Sequence, residues 1–309
     1  MTYDDNLAAS IILVIGLLGA IINLSTALMV FRIKKLNNTF GFMCSGLGMA
    51  DSALLLFFVC WSAPITYSNY TPVLTTLNRK MGHSILYFWF VSLYYHLIIA
   101  ANRLIAMFFP INYSHIFSGN RSRIYVLIPW MLALAHMVVY FFDGCDFYFD
   151  STSYLWTFRE DTECGRSLAY FIDLIYGCTV MGVTASVDII TFIRLRMYKN
   201  KLSKTINHRD RKRNNREIRF FAQSCVTTLM FILMLISFHL FSKYAINKWA
   251  MFACTTLAWE LTHVTDGLIL LLFNSEFWEL LKNPSRIIGT SHNSTQLFVN
   301  QKLPGISTK

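Results

Sequence analysis

The stretch Ile85-Leu-Tyr-Phe-Trp-Phe-Val-Ser-Leu-Tyr-Tyr-His-Leu-Ile-Ile-Ala100 runs without a charge into Ala101-Asn-Arg-Leu-Ile-Ala-Met-Phe-Phe-Pro-Ile-Asn-Tyr113, and the reading of that junction decides the fold. A permanent cation at the end of such a run, here Arg103, is costly unless it reaches a membrane–water boundary or pairs inside a helix bundle. An arginine that merely snorkels at a helix end is the plain alternative on this stretch alone. The rest of the chain has to choose between them.

Composition favours the membrane. Apolar residues make up 55% of the 309, phenylalanine alone contributes 26, and only 14% are charged. A soluble domain carries about a quarter charged residues. The formal charge of +10 raises nucleic acid as a partner, but the cations cluster between apolar runs with no soluble domain around them. Membrane topology accounts for them better, so no nucleic-acid partner is expected. The seven cysteines form no C-x-x-C pair and no zinc-like spacing. Cys44, Cys60, Cys178, Cys225 and Cys254 fall inside apolar runs, where cysteine acts as a small apolar side chain. No cleavable signal peptide is expected, because Met1–Asn6 is acidic and lacks a basic segment ahead of the first run.

Seven runs are long enough to span a bilayer: 7–31, 40–64, 82–109, 124–142, 168–193, 220–241 and 249–273. The predicted fold is therefore an all-α membrane protein, a seven-helix bundle occupying 1–289 with a disordered tail over 290–309. Lysines and arginines set the orientation. With the N-terminus outside and the C-terminus inside, 21 of the 27 fall in inner segments, leaving Arg79, Lys80, Arg159, Arg166, Lys243 and Lys248 outside. The inner segment Arg194–Arg219 holds eleven of the cations, among them Arg216 beside Glu217. It reads as a topology signal attracted to anionic lipid, as a surface for a cytoplasmic partner, or as both.

The loop before the fifth run holds Cys145 and Cys164 with Phe147, Tyr148, Phe149, Tyr154, Trp156 and Phe158 between them. A disulfide would close a lid there in an oxidising compartment, and two free thiols are the alternative. After the seventh run, Glu276-Phe-Trp-Glu-Leu-Leu-Lys-Asn-Pro284 predicts a short amphipathic helix over 276–288 on the inner leaflet. No later cysteine offers it a palmitoyl anchor. Asn69-Tyr-Thr71 is a glycosylation sequon on the outer side, whereas Asn120-Arg-Ser122 lies inside and should stay unmodified.

Polar groups within spans are functional candidates by default. Asn23, Asp51 and Asp266, in the first, second and seventh runs, have depths compatible with one mid-membrane cluster. Glu260, His263 and Asp266 form a drifting stripe along the seventh run. They are either paired structural groups or, for Glu260, a ligand reader facing the outer cavity. Asp173 is a further pocket candidate, with Leu86 and Trp89 as apolar wall.

These motifs resemble rhodopsin-like G-protein-coupled receptors. Asn102-Arg103, Ala106, Pro110 and Tyr113 have the spacing of the Asp-Arg-Tyr…Ala…Pro…Tyr signature, with Asn102 in place of the acid and Leu104 in place of the aromatic. Gly19-Ala-Ile-Ile-Asn23, Ala50-Asp51 and Asp266 through Asn274 to Phe277 resemble the signatures of the first, second and seventh helices, and Trp130 stands where the fourth helix has its tryptophan. There are departures. The sixth run lacks a Cys-Trp-x-Pro hinge, the fifth lacks its proline, and Asn78 occupies the place of the cysteine that opens the third helix. With Phe108-Phe109-Pro110, the loop cysteines with Gly165, and His263-Val-Thr-Asp266-Gly267 running to Phe273-Asn274, the chain is similar over its whole length to nematode serpentine chemoreceptors of class X.

The resemblance implies a chemosensory receptor in the plasma membrane, in a sensory cilium if the class holds. Its partners would be a small-molecule ligand, a heterotrimeric G protein and the lipid bilayer, with no cofactor, no metal and no enzymatic activity. It implies G-protein coupling through Asn102, Arg103, Pro110, Tyr113, Arg216 and Glu217. It also implies an activation core of Asn23, Asp51, Asp266 and Asn274. Because Asn102 cannot hold Arg103 as an acid would, Glu217 is the expected restraint. The position that carries an aspartate in amine receptors is Ile85, which argues against a cationic amine. Glu260 stands in place of the opsin lysine, which argues against retinal. Two rival classes remain. A seven-span metal hydrolase would draw on His96, His136, His239, His263 and Asp266, yet no two histidines lie at i, i+3 or i, i+4. A ligand-gated channel of the insect odorant type would run N-in, against the basic bias.

Overall fold

The computed structural model describes residues 3–33, 36–68, 76–117, 120–202, 208–274, 277–278 and 282, with the backbone alone at 114, 120, 198–202 and 208–220. Among the described residues, seven helices are long and apolar enough to cross a membrane: Tyr3–Arg32, Thr39–Ser68, Thr76–Phe108, Arg121–Phe141, Glu163–Met197, Phe221–Tyr244 and Lys248–Phe273. They are called the first to seventh helices below. The third starts at Thr76, six residues before its apolar run, because Asn78 is buried beneath a loop rather than solvated. The sixth continues the helix His208–His239, so Arg216 and Glu217 belong to it by backbone. The sequon at Asn69, most of the amphipathic segment 276–288 and the tail 290–309 lie outside the described residues.

Helix starts follow local chemistry. Asn38 and Asn247 cap the second and seventh helices, each side-chain oxygen accepting from the backbone three residues on, at 3.0 and 2.8 Å. Pro110 opens the short helix Pro110–Ile116, where its missing N–H goes unmissed. The second, fifth and seventh helices widen into π turns at Phe58–Ser62, Leu168–Tyr176 and Ala253–Leu257. The fifth, without a proline, winds through nine π-helical residues instead.

The third helix is the axis of the bundle. Within its most apolar window 67% is buried, against 22% for the fourth helix, which lies at the periphery. The first helix turns Leu13, Leu17, Leu24, Leu28 and Phe31 outward. Such exposed apolar side chains suit lipid, which has no affinity for polar backbone and leaves helices to pack by shape. Between helices the contacts use small groups. Ser45 and Ser52 donate to the carbonyls of Ala27 and Ala20 at 3.0 Å each. Gly267 lets Asn23 approach so closely that a Cβ there would lie 2.7 Å from Asn23 Oδ1.

One end of the bundle is closed by a hairpin, β1 (Phe147–Asp150) paired antiparallel with β2 (Leu155–Phe158). Its inward faces bury Phe147, Phe149, Trp156 and Phe158. The disulfide Cys145–Cys164 ties its base. Asn78 docks it to the third helix. The Asn78 amide donates to Phe149 O (2.9 Å), and its oxygen accepts from Phe149 N (3.2 Å) and Trp61 Nε1 (2.9 Å). The asparagine that stands where the resemblance would put a cysteine thus holds the loop by hydrogen bonds. The tip is latched as well. Tyr154, at φ 57°, donates its hydroxyl to Asp5, its carbonyl accepts from Thr256 Oγ1 (2.5 Å), and Lys248 Nζ lies 3.4 Å from its ring centroid. Burial first, and then the bond to the Asp5 carboxylate, push the Tyr154 phenol upward, so it stays a donor at neutral pH.

Candidate functional site

Beneath the hairpin lies a cavity lined by Leu86 and Trp89 from the third helix, Phe147 from β1, Asp173 from the fifth, and Met234, Leu235, Phe238 and His239 from the sixth. Trp259 from the seventh completes it, and its free space is about 300 Å³ with the opening included. The π-wound segment Leu168–Tyr176 carries Asp173. The closest approach of the two ionisable groups, His239 Nε2 to Asp173 Oδ2, is 3.6 Å, beyond hydrogen-bond reach. Phe147 and Phe238 meet Trp259 at steep angles, 67° and 83°, with centroids 6.3 and 6.5 Å away.

Trp259 also faces the other way. Its Nε1–H donates to His263 Nε2 at 3.0 Å. That nitrogen is then an acceptor, so the proton of a neutral His263 is on Nδ1, which donates to Asp51 Oδ1 at 2.8 Å. The backbone of His263 is held too, its carbonyl accepting from Asn23 Nδ2 at 2.9 Å. His263 and Asp51 are fully buried.

Next to this relay is a second cavity, whose wall includes Asn23, Asp51, His96, Arg103, Ser224 and Asp266. His96 Nε2 stands 3.3 Å from Asp266 Oδ2. Several buried atoms that point into this region, Asp51 Oδ2, both Asp266 oxygens and Asn23 Oδ1 among them, have no hydrogen-bond partner among the described residues. Buried polar atoms of this kind call for water or a rearranged state. Arg103 closes the far end. Its guanidinium lies over the Phe40 ring at 5.1 Å, and its Nε and Nη1 have no hydrogen-bond partner among the described residues. On the neighbouring wall, Asp188 of the fifth helix accepts from Thr228 Oγ1 (2.9 Å) and Ser224 Oγ (3.4 Å) of the sixth. Asn102 turns aside to Tyr113, with the amide and phenol 3.3 Å apart.

Known proteins share this architecture. Residues 13–274 match the family described as "Serpentine type 7TM GPCR chemoreceptor Srx". The chain belongs to this family. Among its relatives are Serpentine receptor class X 45 of Caenorhabditis elegans, 24% identical over 91% of this chain and 82% of that one. Serpentine receptor class X-43 of the same organism is 24% identical over 89% and 86%. Among solved structures, squid rhodopsin superposes with a TM-score of 0.72 at 13% identity, covering 94% of this chain and 88% of that one. The rhodopsin-like seven-helix fold is thereby shown.

In this Srx receptor, three of the five residues singled out as ligand contacts, Leu86, Trp89 and Asp173, meet in the hairpin-end cavity. The other two do not line it. Glu260 is buried against the first helix, where a Cβ on Gly16 would stand 2.7 Å from its Oε1, and His263 belongs to the relay. Asn23, Asp51 and Asp266 share the second cavity, and Asn274 is buried at the end of the seventh helix, its carbonyl accepting from Phe277 N at 3.2 Å. Pro110 starts the short helix that carries Tyr113. The side chains of Arg216 and Glu217 lie outside the described residues, so the expected Arg103–Glu217 pair has no geometry here. Sequence reading missed Phe147, Phe238, His239 and Trp259 as cavity wall. An indole four residues before a histidine on a helix was the one available signal for the relay. Asp51, His263 and Asp266 offer ligand atoms within 4.8 Å of one another. Both nitrogens of His263 are already committed, so a zinc centre there would first have to break the relay.

Proposed function

We propose that this protein is a chemosensory receptor that binds a small-molecule cue under the hairpin and activates a heterotrimeric G protein at the opposite end. The hairpin end, with the N-terminus, faces outside, and the C-terminus faces the cytoplasm. The basic bias of the loops and the disulfide at the hairpin base support this orientation. The receptor is a multi-pass protein of the plasma membrane, in the sensory cilium by the class X relationship. It acts by binding and conformational change, with no catalytic step.

The observation that carries the reading is the continuity from Trp259 to Arg103. Trp259 is wall of the upper cavity and donor to His263; His263 holds Asp51; Asp51 and Arg103 line the lower cavity. A ligand that moves the Trp259 ring changes the hydrogen bond holding His263, and with it the polar core that flanks Arg103. Arg103 lies 25 residues along the helix from Asn78, or about 38 Å at helical rise. The two ends of the bundle are thus joined by one helix and one polar column. Arg103, with Asn102, Pro110 and Tyr113, forms the G-protein end. Glu217 and Asp188 are the acids that restrain it at rest.

The test is a second-messenger response in cells at matched surface expression. Cavity variants (Trp89→Leu, Phe238→Leu) should move the concentration for half response, whereas Arg103→Ala should remove the response. A response that survives Arg103→Ala unchanged contradicts G-protein coupling through this residue.

A further inference from the structure

Taken as the ligand site, a role proposed above on which the ligand class also rests, the upper cavity has a wall whose chemistry narrows its occupant. Four aromatic side chains from four parts of the fold, Trp89, Phe147, Phe238 and Trp259, are among its nine lining residues. Among the described lining residues Asp173 is the single acid, His239 is the other ionisable one, and there is no lysine or arginine. The indole N–H of Trp259 is spent on His263, so that ring offers the cavity its π surface rather than a donor. Asp173 accepts no hydrogen bond among the described residues, and His239 Nε2, also without a hydrogen-bond partner, is 3.6 Å away.

Three ligand classes can be weighed against this wall. A carboxylate or phosphate would face Asp173 with like charge and find no cation among the lining residues. A wholly apolar ligand would strip water from Asp173 and His239 and return nothing to them. An ammonium group supplies the opposite charge and the N–H or polarised C–H donors that Asp173 lacks, and aromatic faces attract it independently. We propose that the cavity selects a small organic cation, an amine or quaternary ammonium, with Asp173 as its counter-ion and the four rings as a cage. Sequence reading argues against such a ligand because Ile85 stands where amine receptors carry an acid on the third helix. Here the acid comes from the fifth helix instead, on the π-wound segment Leu168–Tyr176. His239 holds the carboxylate's flank and accepts from a ligand donor on the sixth-helix side.

The experiment uses the full-length receptor and size-matched probe pairs, each a cation beside its neutral isostere: choline against 3,3-dimethylbutan-1-ol, and tyramine against 4-propylphenol. A graded series from methylammonium to tetraethylammonium sets the size limit. Two readouts are taken, thermal stabilisation of the purified receptor and the second-messenger response. The ammonium member of a pair should act at concentrations about 10- to 100-fold lower than its neutral partner, the range of one hydrogen bond to a charged group. Asp173→Asn should erase that preference, Asp173→Glu should keep part of it, and Arg103→Ala should leave stabilisation intact.

The ammonium class is overturned if neutral members act as well as charged ones, if Asp173→Asn preserves the preference, or if no cation of the series has an effect. The reading of the cavity is judged separately. Neutral probes whose effect is lost in Trp89→Leu and Phe238→Leu would keep the site and discard the cation. Probe effects indifferent to both cavity variants would discard the site as well.

Discussion

His263→Ala is the substitution whose cost can be worked from the geometry. The imidazole is wholly buried, donates to Asp51 at 2.8 Å and accepts from Trp259 at 3.0 Å. Truncation leaves the Asp51 carboxylate without that donor and the Trp259 N–H without an acceptor. Leaving a buried carboxylate without its hydrogen-bond donor costs about 3 kcal/mol, more than a neutral acceptor would. An orphaned buried N–H adds about 1–3 kcal/mol, and water entering the vacated space next to the lower cavity would recover part of both. We therefore expect a net loss of about 3–5 kcal/mol, which lowers the melting temperature by on the order of 10 °C. The assay is thermal unfolding of the receptor in lipid nanodiscs, followed by a thiol-reactive dye that reports exposure of buried Cys44. Trp259→Phe removes the indole donor together with part of its packing against Phe58, Phe147 and Phe238, and should cost about 2–3 kcal/mol. Because the two side chains share one bond, their effects should be non-additive by about 0.5–3 kcal/mol in a double-mutant cycle. Additive losses, or a His263→Ala shift below about 3 °C, would refute the relay.

Other perturbations test the ends of the bundle. Asn78→Ala removes the amide that meets Phe149 and Trp61, and should cost about 1–3 kcal/mol while leaving the disulfide formed, as measured by unfolding and by thiol counting. Cys145→Ser opens a loop whose cysteines are 19 residues apart, for a loss of about 3 kcal/mol by chain entropy, read in the same unfolding assay. Asp188→Asn weakens the acid that Thr228 and Ser224 hold, and Glu217→Gln removes the acid at the foot of the sixth helix. Each should raise ligand-free second-messenger output, and whichever leaves basal output unchanged is not the restraint. A glycan should be lost from Asn69→Gln and not from Asn120→Gln, read by gel mobility after glycosidase; the reverse would invert the proposed orientation.

The seven helices were legible because lipid imposes a length and a polarity that composition records directly, and the lid was legible from its two cysteines and dense aromatics. The polar core was legible in part. Asn23, Asp51 and Asp266 do meet, since intramembrane polar groups have few other places to go. The stripe on the seventh helix leaves two readings in sequence, paired structural groups or, for Glu260, a ligand reader, and His263 is one of the paired groups. The π turn Ala253–Leu257 inserts a wider turn just before Trp259, Glu260 and His263 and sets which of them meets the cavity. Trp259 is left facing upward, Glu260 toward Gly16, and His263 toward Asp51. Periodicity has no term for such a turn. His239 was hidden for a related reason. Its role depends on where the sixth helix lies beside the fifth, a tertiary fact that no spacing within one run encodes. Asn78 shows the converse. It was visible only as a departure from a disulfide pattern, and the structure gives that departure a purpose in the hydrogen bonds it makes to Phe149.

The central claim is that occupancy of the hairpin-end cavity is passed to a G protein through Arg103. The most direct measurement is nucleotide exchange on a purified heterotrimeric G protein by the receptor in nanodiscs, wild type beside Arg103→Ala, with an activating probe from the ammonium or neutral series. The predicted result is probe-stimulated exchange in the wild type, its loss in Arg103→Ala, and equal thermal stabilisation of both proteins by the probe. Equal exchange by both proteins, or a wild type stabilised by the probe that never stimulates exchange, would contradict it.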